Sequence, residues 1–396
     1  MSTVVDTGAG ERPTSWFNDP KVRSLTFQIV LAVVVGGFIA WLVNNTITNM
    51  RNQGVASGYD YLKQVAGFPI SQTPIEYIVS ASSYGRALVI GFINTLIVAT
   101  LGVILATLLG FTIGIARLSS NWLIAKIAMV YVETIRNIPL LLQLLFWYAI
   151  LVRPLPPVKQ SINLGDTIFI NQRGIFYPGV AWGWDALATV LALLVGIIAA
   201  IIYFRRALRT QVETGHRPAT LLPILAMVVG LPLLVGFIGG FSVTLSYPIL
   251  KPFNVTGGST VGPELFALLT GIVIYTASFI AEIVRGGIRS VSHGQTEAAR
   301  ALGVSGGQNL RLVVVPQAIR VIIPPLTNQY LNLTKNTSLA HFVGYPDLVL
   351  VNETVMNQTN RSVEGIALIM TTYVIISLLT AAFMNWFNKR VALVER

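Results

Sequence analysis

The chain has 396 residues, 54% of them hydrophobic and only 11% charged, with a formal charge of +11 and no cysteine. So few charges cannot coat a water-facing surface, since a soluble domain carries roughly a quarter charged residues. Missing cysteine excludes disulfides and thiolate metal sites. The excess of Lys and Arg runs through no stretch interleaved with aromatics, so it marks cytoplasmic loops and anionic lipid surfaces rather than nucleic acid.

In chain order, apolar runs long enough to cross the hydrocarbon, about 18 residues or more, predict an all-α polytopic membrane protein of about eight spans. They fall near 25–43, 88–116, 128–152, 184–204, 220–240, 263–288, 319–342 and 364–387. The first is preceded by a long polar stretch and followed by "NNTITNM", which offers no small-x-small cleavage site, so it reads as a retained span rather than a signal peptide. With the N-terminus inside, roughly twice as many Lys and Arg flank cytoplasmic as outer segments. The cluster "RRALRTQVETGHRP" at 205–218 contributes much of that bias. Both termini are then expected in the cytoplasm. The outer segments, about 44–87, 153–183, 241–262 and 343–363, are rich in Pro, Gly, Asn and Ser and read as loops.

Charge inside a span is costly and marks function or pairing, and four of the charges in predicted spans fall into two pairs. Glu133 with Arg136, and Glu282 with Arg285, are three apart and are expected to pair on their own helices. A polar stripe of Asn328, Asn332, Lys335 and Asn336 recurs at helical spacing. Lipid does not tolerate such a face, so it should meet a cavity or another helix. As candidates, the stripe lines a translocation path and Lys335 attracts a substrate carboxylate; helix–helix hydrogen bonding is the plain alternative. Asn94 and Thr95, near the outer end of their span, are weaker path candidates.

Between the sixth and seventh spans lies a polar stretch, "EAARALGVSGGQNLRLVVVPQAIRVIIPP" (297–325). Ser292 with Gln295 and Ser305 with Gln308 each have capping-box spacing. Gly303 stands where a left-handed C-terminal cap belongs. These signals predict a helix over 293–302, a tight turn, then a second helix leading to Pro316, with a break or kink at Pro324 and Pro325 as the next span begins. Ala298, Ala299 and Leu302 should give the first helix a small apolar face with Glu297 and Arg300 beside it. By physics alone this is either an amphipathic connector on the headgroups or a docking element for a soluble partner.

The same residues resemble the EAA loop of ABC-transporter permeases. Glu297, Ala298 and Ala299 are followed after three residues by Gly303, and after nine intervening residues by Val313, Val315 and Pro316, with valines where that family favours Ile and Leu. "GFINTLIVATLGVILATLLGFTIGIARLS" (91–119), "YVETIRNIPLLLQLLFWY" (131–148), "YTASFIAEIVRGGIRSV" (275–291) and "NQYLNLTKNTSLAHFVGYPDL" (328–348) resemble the polar amino-acid permeases of that family. The resemblance implies a five-helix, type I importer core over 88–152 and 263–388, the latter holding the EAA loop at about 289–318. Around it lie an N-terminal part (1–87), an insertion with two extra spans (153–262) and a tail (389–396). Such long forms resemble the permeases of general L-amino-acid uptake systems.

What the resemblance implies is a permease subunit of an ATP-driven importer of polar L-amino acids in the bacterial inner membrane. Its expected partners are a dimer of ABC ATPase subunits, a second permease subunit (a paralogue or a copy) and a periplasmic amino-acid-binding protein. Coupling to the ATPase would fall to Glu297, Ala298, Ala299, Leu302 and Gly303. ATP and Mg would be bound by the partner, because this chain contains no Gly-Lys dipeptide and hence no phosphate loop. His216, His293 and His341 lie far apart and form no metal-ligand spacing, and no catalytic residue is expected. An ion-coupled secondary transporter and a non-transporting scaffold remain as alternatives from other classes.

Overall fold

Helix α1 (Pro20–Asn52) stands clear of the rest of the chain, with none of its spanning window buried. The computed structural model describes residues 20–52, 58–181, 184–216, 218–239, 244–251 and 254–391. The polar N-terminal stretch and most of the tail lie outside the described residues. Among these, seven helices are long and apolar enough to span a membrane, and a bent pair makes up to eight. That pair is α3 (Trp122–Asn137) and α4 (Leu140–Leu151), which meet at 109°. The single span expected over 128–152 is therefore broken, at Ile138-Pro139. The residue before a proline is driven to extended backbone, and Ile138 sits at φ −100, ψ 128. The side-chain amide of Gln143 donates to the freed carbonyls of Ile135 and Ile138, both at 2.9 Å.

The core centres on α8 (Pro263–Arg289), which packs against α2 (Tyr84–Ala116), α3, α4 and α11 (Val315–Asn336). Its contact with α2 is close because two glycines allow it. A Cβ on Gly110 would lie 2.6 Å from Ile280, and one on Gly114 would lie 2.8 Å from both the Ala281 carbonyl and Val284. The final helix, α13 (Ser362–Val391), packs against α11.

Two spans differ from expectation for a shared reason. α6 (Leu221–Leu225) runs through a π-helical turn, Ala226–Gly230, into α7 (Leu231–Ile238), and a second π-helical turn, Leu310–Val314, precedes α11. Each wide turn ends two residues before a proline, Pro232 and Pro316. A proline offers no N–H and its ring displaces the carbonyl four residues back, so the hydrogen bonding slips by one residue. Of the break or kink expected at Pro324 and Pro325, the break does not occur: helix continues from Gly306 to Val343, with both prolines inside α11. α5 (Trp184–Thr214) also outruns its predicted end and carries the basic cluster as helix until Gly215, at φ +75. α5 packs on α6–α7, where a Cβ on Gly196 would strike the Met227 carbonyl.

The outer segments are more ordered than loops. Strands β1 (Ile162–Leu164), β2 (Ile168–Asn171), β3 (Gly174–Tyr177) and β8 (Ser259–Val261) form an antiparallel sheet in that order. The shorter pairs β4 (Gly179–Ala181) with β5 (Thr244–Ser246), and β6 (Ile249–Leu250) with β7 (Val255–Thr256), lie between them in the chain. The β3–β8 pairing joins the two ends of the insertion, and Phe169 and Phe176, in register, bury with Val255. Residues 58–83 pack Tyr61, Ala66 and Phe68 against Tyr84, Leu88 and α12 (Leu348–Thr359), a helix unforeseen within the last outer segment.

Candidate functional site

The polar element between α8 and α11 forms much as its caps dictate. α9 (His293–Ala301) ends at Gly303, which adopts the left-handed conformation at φ +76. There Val304 N–H donates to the Ala299 carbonyl at 3.0 Å and Gly303 N–H to that of Arg300 at 2.9 Å. The next helix, α10 (Gly306–Asn309), opens on a complete capping box between Ser305 and Gln308. The first expected box is absent: Ser292 makes no side-chain cap, and its carbonyl instead accepts from Gln295 N–H. Gln295 spends its side chain on Gln317, at 3.4 Å, tying α9 to the start of α11.

The five coupling candidates divide between two faces. Ala299 is 5% exposed and turns inward, whereas Glu297, Ala298, Leu302 and Gly303 are exposed, Leu302 by 83%. The apolar face expected to hold both alanines therefore carries only Ala298 and Leu302, four apart and on one side of the helix. Glu297 and His293 lie 3.3 Å apart, both well solvated.

Just before this element, charged side chains tie three helices. Glu282 accepts from Arg285 Nε at 3.1 Å and from its Nη2, as the i, i+3 spacing predicts. The pair expected between Glu133 and Arg136 does not form. Glu133 faces Arg117 at 3.5 Å, and Arg136 lies 5.1 Å from the centre of the Phe279 ring. Arg117, which caps α2 and had no part in the sequence reading, also donates to Glu282. Sequence spacing finds partners on one helix; this cation comes from another.

Along α11, Asn328, Asn332 and Lys335 are exposed and Asn336 half-buried. Lys335 lines a groove of about 600 Å³ between α11 and α13, with Ser338, Met370, Tyr373 and Ser377. Asn94 and Thr95 are fully buried and committed elsewhere. Asn94 donates to the carbonyls of Gln72 at 3.0 Å and Pro346 at 2.9 Å. Thr95 donates to Gly91 O and accepts from Leu348 N–H, both at 3.0 Å. Their partners mark them as clamps on the turn before α12.

That turn holds a further group that sequence reading passed over. Asp347 is fully buried and caps α12, its Oδ1 accepting from Leu350 N–H at 2.9 Å. Burial pushes its carboxyl up to about 7, against the pull of the backbone N–H groups. An Asp just before an apolar run with alternating polar residues is an N-cap signal that could have located this helix.

Residues 218–393 match the family model described as binding-protein-dependent transport system inner membrane component. The general L-amino acid transport system permease protein AapQ of Rhizobium johnstonii is 48% identical over 98% of this chain and 97% of its own length. The putative amino-acid ABC transporter permease protein YhdX of Escherichia coli K12 is 45% identical over 96% and 97%. The glutamate/glutamine/aspartate/asparagine transport system permease protein BztB of Rhodobacter capsulatus is 40% identical over 98% of each chain. Each of these is a transport-system permease, which leaves the ion-coupled alternative without support. Similarity at this level and over this length, on a fold of spanning helices around a short capped element, shows that the chain belongs to the permease subunits of binding-protein-dependent ABC transporters, membrane subunits whose ATPase is a separate protein.

Proposed function

We propose that this permease carries polar L-amino acids inward and that α9 with its Gly303 turn is the surface on which the ATPase acts. The observation that carries the coupling assignment is Leu302: a large apolar side chain, 83% exposed, on a polar helix outside the spans, next to exposed Ala298. Lipid has no claim on so polar a helix, and a leucine beside a small residue fits a groove on another protein. ATP and Mg are bound by that partner. The element, and with it both termini, faces the cytoplasm, as the Lys and Arg bias supports. The amino-acid cargo is supported by the names of the relatives.

The exposed Asn328, Asn332 and Lys335 face cannot meet hydrocarbon without heavy cost. It lines a path shared with a second permease subunit, a paralogue or a copy. Lys335, at the edge of its groove, attracts the carboxylate of the cargo. A soluble binding protein delivers cargo to the outer side, where residues 58–83 and α12 form a packed cap. The residues thus divide as 1–87, the core at 88–152 and 263–388, the insertion at 153–262 and the tail from 389.

The test is reconstitution. The chain is copurified with its ATPase and second permease, placed in liposomes holding ATP, and supplied with binding protein loaded with radiolabelled glutamate, glutamine, aspartate or asparagine. Uptake that requires both ATP and binding protein is expected. Uptake by this chain alone, collapsing with an ion gradient, refutes the reading.

A further inference from the structure

We propose that Arg117 is a positioning residue for energy coupling: it makes the inner ends of α2 and α3 move with α8 and the coupling element as one body. Its side chain is only 9% exposed and lies at the end of α2, yet it reaches Glu133 on α3 at 3.5 Å and Glu282 on α8. Glu282 is held from its other side by Arg285. A planar guanidinium with several fixed donors can engage two carboxylates at once, which an ammonium does less well. Arg136 of α3 stacks on Phe279 of α8 at the same level, a second tie between those helices.

The backbone beneath the charges allows no independent sliding. Gly110 and Gly114 bring α2 against the backbone of α8 at Ala277 and Ala281. On the opposite side Gly287 admits Ile322 of α11 to 2.3 Å of where a Cβ would stand. Three residues, Ser290 to Ser292, separate α8 from α9, so a push on α9 arrives at Glu282 and Arg285 within two turns. Packed elements with discrete arrangements transmit such shifts, whereas loosely held ones absorb them. Arg117 acts through α8, whose Glu282 it engages directly.

This rests on the coupling reading of α9, and the test separates the two. The reconstituted complex is compared as wild type, Arg117→Gln and Arg117→Lys, reading amino acid taken up per ATP hydrolysed. Arg117→Gln should lower that ratio on the order of tenfold, and Arg117→Lys should recover part of it. An unchanged ratio, or uptake and hydrolysis falling in parallel, overturns the proposal. The chain has no cysteine, so Ser120→Cys with Gly286→Cys, both exposed sites, take one spin-label pair. With Arg117 present, their separation should change by less than about 2 Å between nucleotide-free and ATP-bound complexes; a larger change overturns the proposal even where Arg117→Gln fails to assemble. Should the wild-type complex take up substrate without its ATPase, the coupling reading fails first.

Discussion

Gly303 offers the cleanest perturbation, because the space around it is open. It sits at φ +76, and nothing lies within 4 Å of where a Cβ would be, so a substitution there costs only what the backbone conformation costs. A left-handed residue with a Cβ costs about 1–2 kcal/mol, less for Asn, more for a β-branched side chain. Each 1.4 kcal/mol is about tenfold in an equilibrium. If the turn must be left-handed for α9 to seat on the ATPase, Gly303→Ala weakens assembly about tenfold, Gly303→Val on the order of a hundredfold, and Gly303→Asn about threefold or less. Gly306 and Gly307 are equally open but have no positive φ, so alanine there should be neutral or mildly stabilising. The assay is titration of detergent-purified permease complex with its ATPase subunit, alongside uptake per ATP in liposomes. Equal losses for Asn, Ala and Val would mean a collision rather than a backbone cost, and normal coupling in Gly303→Val would refute the assigned turn.

Other perturbations test separate parts of the structure. Gly114→Leu should separate α2 from α8 and lower the thermal midpoint of the complex, overpacking costing about 1–3 kcal/mol or more, while Gly286→Ala, with open space, should not. Glu133→Gln, at a 59% exposed and 3.5 Å pair, should cost about 0–1 kcal/mol; Glu282→Gln, which strands two arginines, should cost more, and the reverse order in thermal unfolding would refute the assigned network. Lys335→Ala should raise the apparent KM for uptake about tenfold, the weight of one charge-assisted hydrogen bond, and unchanged uptake kinetics would remove Lys335 from the path. Asp347 holds its carboxyl near 7 against an ordinary 3.8, so the folded protein keeps a proton that the unfolded chain releases between those values. Its contribution to stability therefore declines as pH rises from 3.8 to about 7 and is flat above. Asp347→Asn keeps an acceptor for Leu350 N–H and should flatten the decline of the thermal midpoint between pH 4 and 7, which an unaltered slope would contradict.

The spans are legible because an apolar run of membrane length is a strong and local signal, and so is the Gly303 turn, where the left-handed backbone favours glycine over residues with a Cβ. Failures came where the deciding partner was distant in sequence. Glu133 looked committed to Arg136 because helical spacing sees one helix, while Arg117 approaches from the end of another. Asn94 and Thr95 read as path candidates because a polar group in a span signals function or clamping alike. The carbonyl of Pro346 and the N–H of Leu348, some 250 residues away, hold Asn94 Nδ2 and Thr95 Oγ1 in the structure. Strands such as Ile162–Leu164 were too short for alternation to register, and β3 finds β8 only across the intervening α5–α7 helices. The π-turns before Pro232 and Pro316 were readable in principle, since a proline two residues into a helix that continues upstream leaves few other hydrogen-bonding solutions.

Asn94 and Thr95 near one end of α2 and Arg117 at the other tie that helix to two distant parts of the chain. Near the N-terminal end of α2, Gly91 admits the backbone of Asp347 and Leu348 to about 3 Å of a would-be Cβ, and Asn94 and Thr95 bond that same turn. At its C-terminal end Gly110, Gly114 and Arg117 hold α8, which leads into α9. The chain running from α8 through α9, α10 and α11 to Leu348 is thus bridged by α2 at its beginning and its end. Two packed connections run from α9 to that turn: along α11, which follows a π-helical turn and carries three prolines, and across to α2, a continuous 33-residue helix. The second has neither a widened turn nor a proline, the features at which helices kink. Tight contacts at one end and a buried clamp at the other make α2 a bridge between α8 and the turn before α12.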